Sequence, residues 1–252
     1  TMNLSATAIT SYGSGQPFHT IVINDLSQSF SSSITNQRTA DVAILDCVKN
    51  SAGTGTKFGL IGFTGHYGAV MSPPLQVAST NYATIKTTLN SLNSCGNTGM
   101  PACSGSNVAA AIYRAMKSDM FGDSALTGTP RNLIIITDGV PNASNFTYTK
   151  EDGVFTQSGG TTALCTTRCT DANLLTAAQY QAGVARGMGI SVSTIYYSGS
   201  TTSATDRTNY ANSLATLTGG VGISLVTPTT AGISNAFAAF CSTMSSVLKM
   251  VN

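Results

Sequence analysis

Charge is what this chain has least of. Only 9% of its 252 residues are Asp, Glu, Lys or Arg, against about a quarter in ordinary soluble domains. The net charge is +2, and Lys and Arg never cluster into a run. A nucleic-acid surface needs a concentrated basic patch and an electrostatic membrane signal needs a polybasic segment, so both readings are set aside. No apolar run reaches the roughly 20 residues that span a bilayer. No Cys-x-x-Cys occurs, and His19 and His66 stand far in sequence from the cysteines, which argues against a zinc site. No Gly-x-Ser-x-Gly elbow marks a hydrolase nucleophile.

What the chain does have is a hydrophobic content of 42%, enough for a sizeable core in one large domain. Its polar surface is built from Ser, Thr, Asn, Gln and Gly. Six cysteines in so charge-poor a chain point to an oxidising compartment. Their spacing suggests local staples Cys95–Cys103 and Cys165–Cys169, leaving Cys47–Cys241 as a long-range pair, although spacing alone does not determine connectivity. No secretory leader is visible at Thr1-Met2. That suits a mature or trimmed chain, a cytosolic one, or an ectodomain whose anchor lies outside it.

Strand and helix patterns alternate. Apolar stretches predict strands over 18–24, 57–64, 131–137, 190–197 and 221–226. Between them, spacing at i, i+3 and i+4 predicts helices over 33–50, 81–92, from Asn107, from Asp171 to about Met188, over 206–217, and finally across Ile233 to Leu248. The segment 66–77 reads as an edge strand or hairpin interrupted by Pro73-Pro74. This order implies an α/β fold: a doubly wound, mostly parallel central sheet with helices on both faces and one antiparallel edge strand. The expected unit is a single domain, 1–252, with an insertion at about 140–170 whose Asp152-Gly153 turn reads as a hairpin.

Three oxygen-bearing clusters fall at the ends of these elements. Asp25-Leu26-Ser27-Gln28-Ser29 follows the first strand, Ser104-Gly105-Ser106-Asn107 precedes a helix, and Thr137-Asp138-Gly139 ends the Leu133–Ile136 run. In a parallel sheet, ligands bind at the carboxyl ends of the strands, so Asp25 and Asp138 should share one rim. Hydroxyls and carboxylates suit a hard divalent cation. Each cluster also has a plainer reading. Asp25, Ser27 and Ser29 could cap the first helix, Ser106 could cap the next, and Asp138-Gly139 could be an ordinary turn. An Asp25–His66–Ser hydrolase is conceivable from chain order alone.

Taken together, the three clusters resemble the metal-ion-dependent adhesion site of the von Willebrand factor type A domain: Asp-x-Ser-x-Ser, then Thr in a Gly-rich loop, then Asp before Gly. Asp25, Ser27 and Ser29 match the first part and Asp138 the last. Ser106 stands where Thr is usual; Asn24, Gln28 and Phe30 also depart from the common pattern. The resemblance covers most of the chain. It implies a non-enzymatic adhesion module in which Asp25, Ser27, Ser29, Ser106 and Asp138 hold Mg²⁺ (or Mn²⁺ or Ca²⁺), and an acidic side chain of a protein or surface partner completes the coordination. The charge-poor texture is similar to bacterial pilus-associated surface proteins of tight-adherence and type IV systems. That implies an extracellular or envelope location, with other pilus subunits among the partners. The alternative is a structural pilus or envelope subunit whose metal site only stabilises the fold. The hairpin around Lys150 to Gly153 is the candidate for partner specificity.

Overall fold

The computed structural model describes residues 17–27, 34–51, 55–63, 68–70, 75–78, 80–93, 106–139, 171–197, 203–220, 222 and 224–227. In chain order the elements are β1 (His19–Asp25), α1 (Ile34–Ser51), β2 (Lys57–Phe63), β3 (Gly68–Val70), β4 (Gln76–Val77), α2 (Tyr82–Ser91), α3 (Val108–Ala115), β5 (Arg131–Thr137), α4 (Asp171–Gly187), β6 (Ile190–Tyr197), α5 (Ala204–Ala215) and β7 (Ser224–Thr227). The strands form one sheet in the order β3-β2-β1-β5-β6-β7, with β4 also pairing β2. The pairs β1–β2, β1–β5, β5–β6 and β6–β7 are parallel; β3 and β4 run antiparallel to β2. The expected α/β fold is therefore present. Its antiparallel edge is divided between two short strands, separated by sequence that contains Pro73 and Pro74.

Winding explains the two layers. From the central pair β1 and β5, the chain steps outward through α1 to β2 on one side and through α4 to β6 on the other. Right-handed crossovers in opposite directions put their helices on opposite faces. Strand alternation then sorts the core. Ile21, Ile23, Ile61, Phe63, Leu133, Ile135 and Val192 pack with α3, α4 and α5. Val22, Phe58, Leu60, Ile134, Ile136 and Ile195 pack with α1 and α2. Every residue of β1 and β5 is buried, as expected of strands covered on both faces.

Several boundaries differ from expectation for local reasons. Helix α5 begins two residues early because Ser203 caps it, its Oγ accepting the Asp206 N–H at 3.1 Å. Strand β7 starts at Ser224 rather than 221, after Gly219 and Gly220 turn the chain in left-handed conformations. On α3, Ala109 and Ile112 are buried as expected, but Tyr113 is partly exposed, with the Lys117 ammonium over its ring at 4.0 Å. Of the cysteines, only Cys47 lies among the described residues, and it is not a free thiol. The expected pairings, the 140–170 insertion, His66 and the C-terminal helix fall on residues outside those described. No helix among the described residues is long and apolar enough to cross a membrane.

At the amino ends of the strands, Lys57, His19 and Arg131 stand side by side on β2, β1 and β5. Arg131 is buried; it donates to the Phe121 carbonyl at 2.7 Å and to the Met188 carbonyl. His19 Nδ1 accepts the Lys57 N–H at 3.0 Å. Burial, then the charges of Lys57 and Arg131, lower the His19 pKa to about 4. The unfolded chain therefore takes a proton near the ordinary value of 6.5 that the folded chain refuses until about pH 4. His19 thus makes folding stability fall as pH drops across that interval. His19→Asn, whose Oδ1 can accept the same N–H, is expected to flatten the loss in urea unfolding measured from pH 6.5 to 4. An unchanged slope would contradict this assignment.

Candidate functional site

The carboxyl ends of β1 and β5 lie side by side, with Asn24 in register with Ile136. This is where the strand order reverses, the position at which open α/β sheets form a crevice. Asp25 is the last residue of β1, paired with Phe63. The ladder continues one residue further, through Leu26 N–H to the Phe63 carbonyl at 2.8 Å. The backbone on both sides of Asp25 is thereby held.

The Asp25 side chain has no exposure to solvent. Its Oδ1 accepts the Ser27 N–H at 2.9 Å. Its Oδ2 accepts the Ser106 hydroxyl at 3.3 Å and the Thr137 hydroxyl at 2.7 Å. Burial pushes the carboxyl pKa up from its ordinary value, and hydrogen bonds from the Ser27 side chain, Thr137, the Ser27 backbone and Ser106 pull it back. One carboxylate thus gathers residues from three segments, 81 and 112 positions away in the cases of Ser106 and Thr137.

Ser106 is available for this because Asn107 takes over the capping of α3, its side-chain oxygen accepting the Ala110 N–H at 3.0 Å. The alternative reading of Ser106 as that cap is corrected here. Thr137, part of the third oxygen-bearing cluster but not among the expected ligands, belongs to the site through its bond to Asp25. Its single hydroxyl proton has two acceptors in reach, Asp25 Oδ2 and the Gly139 carbonyl at 2.9 Å, while its oxygen accepts the Gly139 N–H at 3.2 Å. Nothing in the local sequence separates this threonine from ordinary strand filler. Its role follows from β1–β5 register.

Asp138 directly follows Thr137 at the same rim and is partly buried; Ser27 and Ser106 are nearly fully buried. Ser29 lies outside the described residues. The structure therefore brings Asp25, Ser27, Ser106 and Thr137 into one hydrogen-bonded group with Asp138 next to it in the chain. No three His, Cys, Asp or Glu side chains cluster as a metal site among the described residues. The donors at this rim are hydroxyls and at most two carboxylates. That is an oxygen-only set, suited to a hard divalent cation rather than to zinc. A serine that gives its proton to Asp25 also turns its lone pairs away from the carboxylate, which leaves them for a cation.

The Asp25–His66–Ser arrangement depends on His66, which lies outside the described residues; the other histidine, His19, is at the opposite end of β1 from Asp25, about 20 Å away at 3.3 Å per residue.

No protein-family model and no curated protein matches this chain. Solved structures do. SpaC, a pilus adhesin from Lactobacillus rhamnosus GG, aligns over 93% of this chain and 31% of its own, with a TM-score of 0.64 and 15% identity. A von Willebrand factor type A protein from Catenulispora acidiphila aligns over 92% of this chain and 43% of its own, with a TM-score of 0.59 and 14% identity. The corresponding domain of Mfa5, a type V pili tip protein from Porphyromonas gingivalis, covers 96% of this chain and 98% of its own, with a TM-score of 0.59 and 14% identity. The chain thus spans less than half the length of the first two. At these identities the likeness concerns the fold, and by that likeness, with its sheet order and the hydroxyl-lined carboxylate at its switch point, this chain has the von Willebrand factor type A fold.

Proposed function

We propose that this chain is a metal-dependent adhesion module of a cell-surface or pilus-associated protein, in which Asp25, Ser27, Ser29, Ser106 and Asp138 hold Mg²⁺, or Mn²⁺ or Ca²⁺ in its place, and so capture an acidic side chain of a partner. The observation that carries this reading is the Asp25 carboxylate, buried at the switch point and hydrogen-bonded to hydroxyls from two other segments. A bound divalent cation would supply Lewis acidity toward an incoming carboxylate. The chain's own residues do the rest. Asp25 orients the hydroxyls, Thr137 holds Asp25 against β5, and Asp138 adds the second negative charge. The module acts by binding rather than by catalysis. Its neighbours SpaC and Mfa5 are pilus proteins, which supports an extracellular setting and other pilus subunits among the partners; disulfide pairing of the cysteines draws its support from Cys47, which is not a free thiol.

One observation favours a second reading. Both Asp25 oxygens already have protein donors, so the group could serve only to bind three segments together in a structural envelope subunit. The two readings differ in what chelation does to partner capture. In the adhesion reading, chelator abolishes binding of the isolated chain to its native surface, and added Mg²⁺ restores it. In the structural reading, chelator lowers the melting temperature and leaves binding intact.

The site makes two quantitative predictions. Mg²⁺ at 100 times its Kd should raise unfolding stability by about 2.7 kcal/mol, read from urea midpoints. Asp138→Ala should fold and lose that increment; a variant that keeps it would remove Asp138 from the site. Thr137→Val preserves shape but removes a donor to a charged acceptor, so it should cost about 1.5–3 kcal/mol, and Thr137→Ser should recover most of it. A Val variant as stable as the parent would show that the Thr137 hydroxyl does not help to hold Asp25.

A further inference from the structure

On the face of β1 opposite Asp25, a second polar group sits wholly inside the protein. Asn24 has no exposure, and neither do Gln37 and Asp41, one turn apart on α1. Gln37 Nε2 donates to Asn24 Oδ1 at 2.6 Å. That leaves Asn24 Nδ2, Gln37 Oε1 and both Asp41 oxygens buried without a partner. The Asn24 side chain is the one neighbour that favours the charged form of Asp41, yet neither Asp41 oxygen has a completed hydrogen bond.

The donor count of this group is decisive. With Asp41 ionised, a bare charge would sit in the apolar layer of Val22, Ala40, Ile44 and Ile134, and Gln37 Oε1 would have no donor at all. The charged groups on the packed elements are occupied elsewhere. Arg38 donates to the Leu92 carbonyl and Asn93, Lys49 and Lys86 lie over the Tyr82 ring, Asp46 accepts the Tyr82 hydroxyl, and Asp25 is on the far side of β1. A single proton on Asp41 would supply the missing donor: Asp41 O–H to Gln37 Oε1, with Asn24 Nδ2–H turned to the other Asp41 oxygen and Gln37 Nε2–H already on Asn24 Oδ1. Reversing both amides reverses the ring and leaves the same need for one proton, so the conclusion does not depend on how the amides are turned.

We infer that Asn24, Gln37 and Asp41 form a closed ring in which Asp41 is a neutral acid, and that this ring is the positioning element of the end of β1 that carries Asp25 and Ser27. Asn24 immediately precedes Asp25 and Gln37 lies in the first turn of α1, so the ring ties the end of β1 to the start of α1. Burial drives the Asp41 pKa well above its ordinary value, opposed only by the Asn24 side chain. The folded chain therefore keeps a proton that the unfolded chain releases near 3.8, and stability falls as pH rises from that value toward the folded one. The positioning half of this inference rests on the metal-site reading above; the ring itself does not.

Two measurements test it. An infrared difference spectrum of the full chain against Asp41→Asn at neutral pH should contain the carbonyl band of one buried neutral carboxylic acid; its absence overturns the ring. Calorimetric titration with MgCl₂ should give Asp41→Asn an affinity like the parent's, because an amide donates to Gln37 and accepts from Asn24 in the same way. Asp41→Leu, of similar bulk but without polar atoms, should bind Mg²⁺ about 10–100-fold more weakly. If Asp41→Leu does not fold, Gln37→Leu, which opens the same ring, takes its place. Parent-like affinity in the folded Leu variant overturns the positioning role. If the parent itself binds no Mg²⁺, the adhesion-site reading and the positioning role fall together, and the infrared band still decides the ring.

Discussion

A carboxylate placed out of reach of water must be surrounded by donors, because an unpaired buried charge is among the costliest things a fold can contain. Asp25 meets that demand by drawing on the Ser27 amide, the Ser106 hydroxyl ahead of α3 and the Thr137 hydroxyl at the end of β5. The β1–β5 register, the placement of α3 and the course of the chain after β1 must all agree for those donors to arrive together. The demand of one side chain thus links the two halves of a doubly wound sheet at the point where they diverge.

Around this constraint the fold assigns different duties to the two ends and two faces of β1. At the amino end, His19 is held neutral beside Lys57 and Arg131. At the carboxyl end, Asp25 faces the hydroxyls while Asn24, one residue earlier, faces the opposite layer and meets Gln37 from α1. Alternation along a strand is what allows neighbouring residues to face the switch-point crevice and the opposite helical layer at once. A low-charge chain suits such an arrangement. With 9% charged residues, hydroxyls and amides carry most of the polar work.

Elements with continuous apolar sequence were readable from the residues alone. β5 begins and ends where its run of Leu and Ile predicts, because a strand buried on both faces has no competing pattern, and β6 does so where its apolar alternation predicts. Boundaries set by a cap or a turn glycine were less legible, as α5 and β7 illustrate. The convergence of Asp25, Ser27 and Ser106 was visible from motif order, since clusters each at the end of an element are hard to explain separately. Thr137 and the Asn24–Gln37–Asp41 group were not visible. Their roles arise from register between strands and from which turn of α1 faces the sheet, and neither quantity is written in local spacing.

The most direct test of the central claim is the anomalous scattering of a crystal grown with Mn²⁺. The account predicts a single strong peak at the carboxyl ends of β1 and β5, within about 2.0–2.2 Å of the Ser27 and Ser106 hydroxyl oxygens and next to Asp138. A peak elsewhere on the chain, or none at a saturating Mn²⁺ concentration, would contradict it.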